Sequence, residues 1–346
     1  MSSKAQTGGN NTYDFLNLPN AAHVVALGGN NVSLYANDLS MAYHNPSLLR
    51  SEMSDNIVLN YVNYISDINF GYVSYAKHFE GIGTVGAGIH YLNYGSFIHA
   101  DETGTILGDF TASEYSFNLY YSRQLMDKLY VGATLKTIYS ALSTYYSSGL
   151  AVDAGITWLD TANNFSAALV VKNVGMQLRT YQPGNREPFP SDVKLGITKG
   201  LKHAPFRVSV TFQDMLNWSL RYSSPFNQAN LILDDEQAAD STFGQKFNSF
   251  LTKTGNVGDE ILRHTIIGVE LVPSDNFYVA LGFNYRRRSE LALETRTGIV
   301  GMSFGAGLNL SKFNIHYALA SYHLAGMSHH ISLGVNLGAF YKKSLN

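Results

Sequence analysis

The sequence predicts an all-β chain: a 14-stranded antiparallel transmembrane β-barrel over residues 56–346, behind an N-terminal plug over residues 1–55. Three observations lead there. From residue 56 onward apolar residues alternate with small or polar ones, the period of a strand with two unlike faces. The alternating stretches run for roughly 10 residues, the length that crosses a bilayer at a tilt. The connections between them are alternately tight and long, the asymmetry of bacterial outer-membrane barrels.

Composition narrows the class further. Only 14% of the 346 residues are charged, against about 25% in an ordinary soluble domain. The 24 basic and 26 acidic residues nearly cancel, which argues against a nucleic-acid binder held by a basic face. With no cysteine there is no disulfide framework, no thiolate metal site and no thiol nucleophile. No stretch reaches the roughly 18 uninterrupted apolar residues of a transmembrane helix. Residues 1–11 are polar and lack the apolar core of a signal peptide, while Ser2, Ser3 and Ala5 are the small residues of a processed start.

The first 55 residues do not alternate. Pro19 to Leu27 reads as a short helix stopped by Gly28-Gly29, with Asn17 or Asn20 as its cap. Asn45-Pro46 fits a cap followed by proline at the first helical position. A compact, mostly uncharged segment ahead of a wide barrel reads as a plug, because 14 strands leave a lumen too wide for side chains alone. An ordered periplasmic arm is the alternative.

The strands are expected to begin near residues 56, 68, 82, 113, 128, 149, 164, 191, 206, 262, 277, 299, 312 and 329. In the last one Ile331, Leu333, Val335 and Leu337 oppose His330, Ser332, Gly334 and Asn336. A soluble all-β fold would turn the apolar face inward beneath a charged exterior; here the other face is glycine, serine, asparagine and histidine with few charges. Connections after even strands are tight, as at Phe79-Glu80-Gly81, at Ser311 and over 160–163. Those after odd strands are long, at 94–112, 141–148, 174–190, 214–261, 286–298 and 322–328, with 65–67 the short exception. Outer-membrane barrels place the strand ends at both termini, and their short turns, on the periplasmic side and the long loops outside.

Several stretches carry a resemblance. Ala26-Leu27-Gly28-Gly29-Asn30-Asn31-Val32-Ser33-Leu34, Asn37-Asp38 and Ala42-Tyr43-His44-Asn45-Pro46-Ser47-Leu48-Leu49 look like the N-terminal signature of the PorV/PorQ family. Leu262 to Glu270, Pro273 to Phe277, Gly282 to Arg288, Tyr322 to Gly326 and Ser328-His329-His330 extend it, and together resemble the PorQ branch. The resemblance implies a 14-strand barrel similar to the FadL-type fatty-acid channels, with a hatch carrying an Asn-Pro-Ala type motif. It also implies a non-enzymatic component of the type IX secretion attachment complex of Bacteroidetes, anchoring a soluble, PorZ-like cell-surface protein. Ser47 departs from the usual alanine of the hatch motif, and Lys342 to Asn346 follow the last aromatic residues. The rival from another class is a FadL-like transporter of hydrophobic small molecules, for which Gly81, Gly83, Gly86 and Gly88 would kink the third strand.

No catalytic, cofactor-binding or metal site is expected. His329 and His330 face opposite ways in one strand and cannot share an ion, and no His-Glu-x-x-His stretch occurs. His90, His264 and His316 fall on lumen faces of separate strands and are expected to hydrogen-bond the plug. Lys136, Asp153 and Glu270, rare inward charges, are expected to form salt bridges to it. The partner-binding candidates lie at the long-loop end. Arg286, Arg287 and Arg288, with Arg296 across the loop, suit either lipopolysaccharide phosphate or a solvated, acid-paired loop end. Residues 214–261 hold Trp218, Tyr222 and Phe226, then Phe243, Phe247 and Phe250 at helical spacing, an amphipathic face that either covers the barrel mouth or docks a partner.

Overall fold

The computed structural model describes residues 11–220, 255–274, 276–291, 299–323 and 326–341. These form 14 strands: β1 Asn56–Asn63, β2 Asn69–Phe79, β3 Gly83–Ala100, β4 Ile106–Met126, β5 Leu129–Leu142, β6 Tyr145–Asp160, β7 Phe165–Arg179, β8 Asp192–Gly200, β9 Phe206–Phe212, β10 Thr265–Ser274, β11 Phe277–Asn284, β12 Met302–Asn309, β13 Phe313–His323 and β14 Gly326–Asn336. Each pairs antiparallel with its sequence neighbours. β1 and β14 close the ring, from Asn56 opposite Asn336 to Asn63 opposite His329. Closure leaves no strand edge, the condition for a sheet to stand in lipid.

The faces are those the alternation predicts. Leu59 (55% exposed), Phe117, Leu119, Ile331 and Leu333 point outward, whereas Asn60, Ser116, Asn118, His330 and Ser332 are buried inside. The wall thus turns its apolar side out, the inverse of a soluble barrel.

Strand starts agree with the sequence pattern except at β4, which begins at Ile106 rather than near 113, and β6, which begins at Tyr145 rather than near 149. The expected long connections 94–112 and 141–148 are therefore mostly strand. At 18 residues β3 is nearly twice as long as a strand that crosses a membrane in about 10 residues. Its hairpin with β4 continues past the apolar belt to a tip at Asp101–Thr105. There the Thr103 hydroxyl, followed by backbone amides, holds the Asp101 carboxyl below the ordinary carboxylate range. Outside a bilayer both faces of a hairpin meet water, so alternation fades although pairing continues.

The segment ahead of β1 runs through the lumen. It contains helix α1 (Ala22–Ala26), helix α2 (Met41–His44) and 3₁₀ turns at Asp14–Asn17, Pro46–Leu48 and Ser51–Met53. Among the described residues each buried apolar cluster is part segment and part wall. Val24, Val25 and Leu27 meet Tyr278, Ala318 and Tyr322; Phe15 and Leu16 meet Phe70 and Ile138; Tyr43 and Leu49 meet Tyr72 and Tyr120; Val32 meets Val170. At about 1.5–3 kcal/mol per fully buried aliphatic or aromatic side chain, these contacts hold the segment firmly.

One local expectation is corrected. The α1 helix is preceded by Ala21 with no side-chain cap, and Asn17 bonds Asn173 on β7 instead. The first described residues of the segment lie at the long-loop end, where the Thr12 amide donates to Pro188 O in the connection after β7. The start of β1 and the end of β14 share the short-turn end, but residue 12 does not.

At the long-loop end lie helix α3 (Gly255–His264), which leads into β10, and helix α4 (Tyr285–Leu291), which follows β11. The Tyr285 hydroxyl donates to Asp259 Oδ1 at 2.7 Å and joins them. A last turn, α5 (Gly338–Tyr341), follows β14.

Candidate functional site in the lumen

The segment meets the wall at two unlike seats, each set by a turn in its own sequence. After Asn45 the chain must turn, and proline has its φ already near the helical value. Asn45 Oδ1 accepts from the Ser47 amide (3.0 Å) and hydroxyl (2.6 Å), while its Nδ2 donates to Val32 O (2.7 Å) and Thr157 Oγ1 (2.9 Å). Asn45 and Pro46 are expected plug-motif residues, and both are buried against β5 and β6. Ser47 bonds Thr157 Oγ1 at 2.7 Å, which ties the turn to β6. Gly132 and Gly155 make the approach possible. A Cβ at the first would run into the Pro46 backbone, and at the second into Asn45 Oδ1.

The second seat is charged. Gly28 and Gly29, with φ of 103° and 90°, end α1 and turn the chain back, conformations that L side chains rarely adopt. This places His23 against β10 and β11. His23 Nε2 lies 2.5 Å from Glu270 Oε1, Arg207 Nε lies 2.6 Å from Glu270 Oε2, and the His23 ring stacks on Tyr278 at 3.9 Å. Arg207 also donates to Tyr35 O at 3.0 Å. Farther along the segment, Asp38 approaches His316 Nδ1 at 3.6 Å. Beside this group opens a chamber of about 800 Å³ at the short-turn end, reaching from the turns at Thr161, Pro205 and Ser311 to His23, Arg207 and Tyr278.

The other inward groups divide. Glu270 pairs with the segment as expected. Lys136 and Asp153 do not: they pair with each other at 2.7 Å, both fully buried, and Lys136 also donates to Asn173 Oδ1. The segment's share there is the Tyr43 carbonyl, which accepts from Lys172 Nζ at 3.2 Å. Of the three histidines, His90 meets the Tyr43 hydroxyl at 2.9 Å and His316 faces Asp38, but His264 contacts the Gln213 and Trp218 carbonyls and so secures a loop.

The described partner candidates at the long-loop end face different ways. Trp218 is 56% exposed and stacks on His264. Arg286 pairs with Asp214 and Glu290, each at 2.8 Å, which is the acid-paired arrangement. Arg287 turns inward over the Tyr322 ring at 3.9 Å and reaches toward Gly28 O. Arg288 lies in the same helix, α4. Tyr222, Phe226, Phe243, Phe247, Phe250 and Arg296 fall outside the described residues.

Sequence reasoning missed His23, Asp38 and Arg207 as partners of groups it had marked. Two inward groups point to them: Glu270, a charge on an apolar-patterned strand, to His23 and Arg207, and His316 to Asp38. Gly301-Met302-Ser303-Phe304-Gly305 has the Gly-x-Ser-x-Gly spelling of a nucleophile elbow, yet Ser303 stands within β12 rather than at a strand-to-helix turn. Its hydroxyl accepts from the Gly28 amide at 3.0 Å and lies 3.2 Å from Ala26 O, so it fastens α1. The glycines of β3 do not kink it either: pairing with β2 and β4 is unbroken from Thr84 to Asn93.

No protein-family model and no curated protein sequence matches the chain. Solved structures do. The toluene transporter TodX of Pseudomonas putida aligns over 92% of this chain and 98% of its own, at 12% identity and a TM-score of 0.52. A FadL homologue of Pseudomonas aeruginosa covers 91% and 97% (11% identity, TM-score 0.45), and the CymD monoaromatic hydrocarbon channel 93% and 97% (10%, 0.49). The likeness to TodX shows the fold, a closed 14-strand antiparallel barrel. The PorV/PorQ resemblance gains no support from any family match.

Proposed function

We propose that the protein is an outer-membrane barrel of the transport class, a conduit for small hydrophobic molecules that residues 11–53 hold closed. One observation carries this more than any other. The likeness to the toluene transporter covers more of the chain than the strands and their connections make up, so it runs into the internal segment as well as the wall. The exposed apolar outer face supports the membrane location. In this reading the short-turn end is periplasmic, the long loops are extracellular, and residues 1–55 act as one plug ahead of the barrel. A passage must then run through the lumen and displace the segment, since β3 offers no gap. Uptake of radiolabelled toluene by a Gram-negative host lacking its own hydrocarbon channel tests this. Expression should raise the uptake rate, and unchanged uptake at confirmed outer-membrane levels would discard the conduit.

The continuous wall at β3 favours a second reading, the non-enzymatic anchor of a soluble surface protein in a type IX attachment complex. Such an anchor needs a stable barrel and a large outer face, not a passage. The β3–β4 hairpin, the exposed Trp218 and residues 214–261 would provide that face, where aromatic residues dominate binding. Lipopolysaccharide contact through Arg288 belongs to the same reading. Replacing residues 226–254 with a short Gly/Ser linker should then release a copurifying surface protein from solubilised membranes. Recovery of that protein in equal amount would remove the loop from the interface.

A further inference from the structure

At the inner end of the chamber the geometry points to a divalent-metal site made by His23, Asp38 and His316, taking a transition ion of the zinc class that ties the N-terminal segment to β13. All three side chains are buried, and one ligand atom from each lies within 4.8 Å of the other two. Two imidazoles and a carboxylate are a donor set that zinc-class ions accept, with a fourth position left for water.

Hydrogen bonding has already set the tautomers. The Glu270 carboxylate, 2.5 Å from His23 Nε2, can only accept, so that nitrogen carries the proton and Nδ1 keeps its lone pair. Asn309 Oδ1 does the same for His316 Nε2 at 3.0 Å. An oxygen acceptor behind each imidazole is the arrangement that orients metal-binding histidines. Among the described residues His23 Nδ1 and Asp38 Oδ2 are buried without a hydrogen-bond partner, while Asp38 Oδ1 accepts from the Ser40 amide. Such orphaned atoms are costly in an interior, and one cation satisfies both.

Charge agrees. Arg207 balances Glu270, whereas the only ion pair of Asp38 among the described residues is the 3.6 Å approach to His316, which attracts only if that ring is protonated. The Tyr278 hydroxyl, 3.1 Å from His316 Nδ1, is the group that must give way. The donors must also draw in to the roughly 3.4 Å spacing of a tetrahedral site with bonds near 2.1 Å. The chamber reaches His23 and supplies the route. Because two ligands come from the segment and one from the wall, the ion stabilises the seated segment by mass action. This site does not depend on whether the barrel conducts or anchors.

Untagged full-length protein in detergent, equilibrated with Zn²⁺ and desalted, should retain about one zinc per chain by mass spectrometry. His316→Gln and Asp38→Asn should lose it, and His99→Gln on the exposed hairpin should keep it, with altered gel migration on boiling confirming folded barrels. Glu270→Gln should weaken zinc binding about 10–100-fold by loosening the orientation of His23. If a variant fails to fold, X-ray absorption of the zinc-loaded wild type decides, with two imidazoles per zinc expected. Zinc absent from the wild type, zinc retained equally by both ligand variants, or fewer than two imidazoles in the spectrum would each overturn the site.

Discussion

The two seats of the N-terminal segment solve the same problem by opposite means. At Asn45-Pro46-Ser47 the contact is neutral, and both ends of the Asn45 amide are satisfied. The wall comes so close that only glycine fits at positions 132 and 155. At His23 and Asp38 the contact is charged, two buried polar atoms lack partners, and a chamber of about 800 Å³ opens alongside. The first seat has nothing left to bind and no room to move; the second has both. The difference teaches where the segment is fixed and where its hold depends on conditions: the β5–β6 side is the anchor, and the β10–β13 side is where an ion or solvent alters the contact.

The largest expected effect comes from abolishing both seats. Deleting residues 11–50 should leave a barrel that still changes gel migration on boiling, because its apolar face is outward, while single-channel conductance in planar bilayers rises sharply. An intact chain that conducts as freely as the deletion would show that the segment closes nothing.

Next comes the charged seat. Glu270→Ala leaves the buried His23 and the part-exposed Arg207 without their shared carboxylate, and stability by urea titration should fall by at most about 3–5 kcal/mol, the cost of breaking a fully buried pair. Asn45→Ala at the neutral seat orphans Val32 O and the Ser47 amide and should cost about 1–3 kcal/mol. A reversed order would mean that the charged seat is solvated and contributes little. Gly155→Val tests closeness of fit alone. Overpacking there should cost about 1–3 kcal/mol and raise conductance by lifting the motif, whereas Ser47→Ala should leave conductance unchanged and lose only the two hydrogen bonds of its hydroxyl. The smallest effect belongs to the far end: Trp218→Ala, exposed and outside both seats, should shift stability by no more than about 0.5 kcal/mol. A larger shift would tie the long loops to the lumen.

The sequence alone determined the wall. A strand crossing a membrane must alternate lipid-facing and lumen-facing side chains, so 14 such stretches, their order and all their starts but those of β4 and β6 could be read without coordinates. Asn45-Pro46 was legible for the same kind of reason, since an asparagine cap and a proline at the first helical position act within one turn. Where the bilayer stops constraining the chain, legibility stopped too: β3 and β4 run on past the belt with both faces in water, and nothing in their pattern marked them as strands. The tertiary structure alone decided what fills the lumen. His23 and Glu270 are 247 residues apart, and Asp38 meets His316 only because α1 and the turns after it are folded against a closed ring. Periodicity records which face a residue occupies; which distant residue it meets there is set by ring closure and packing.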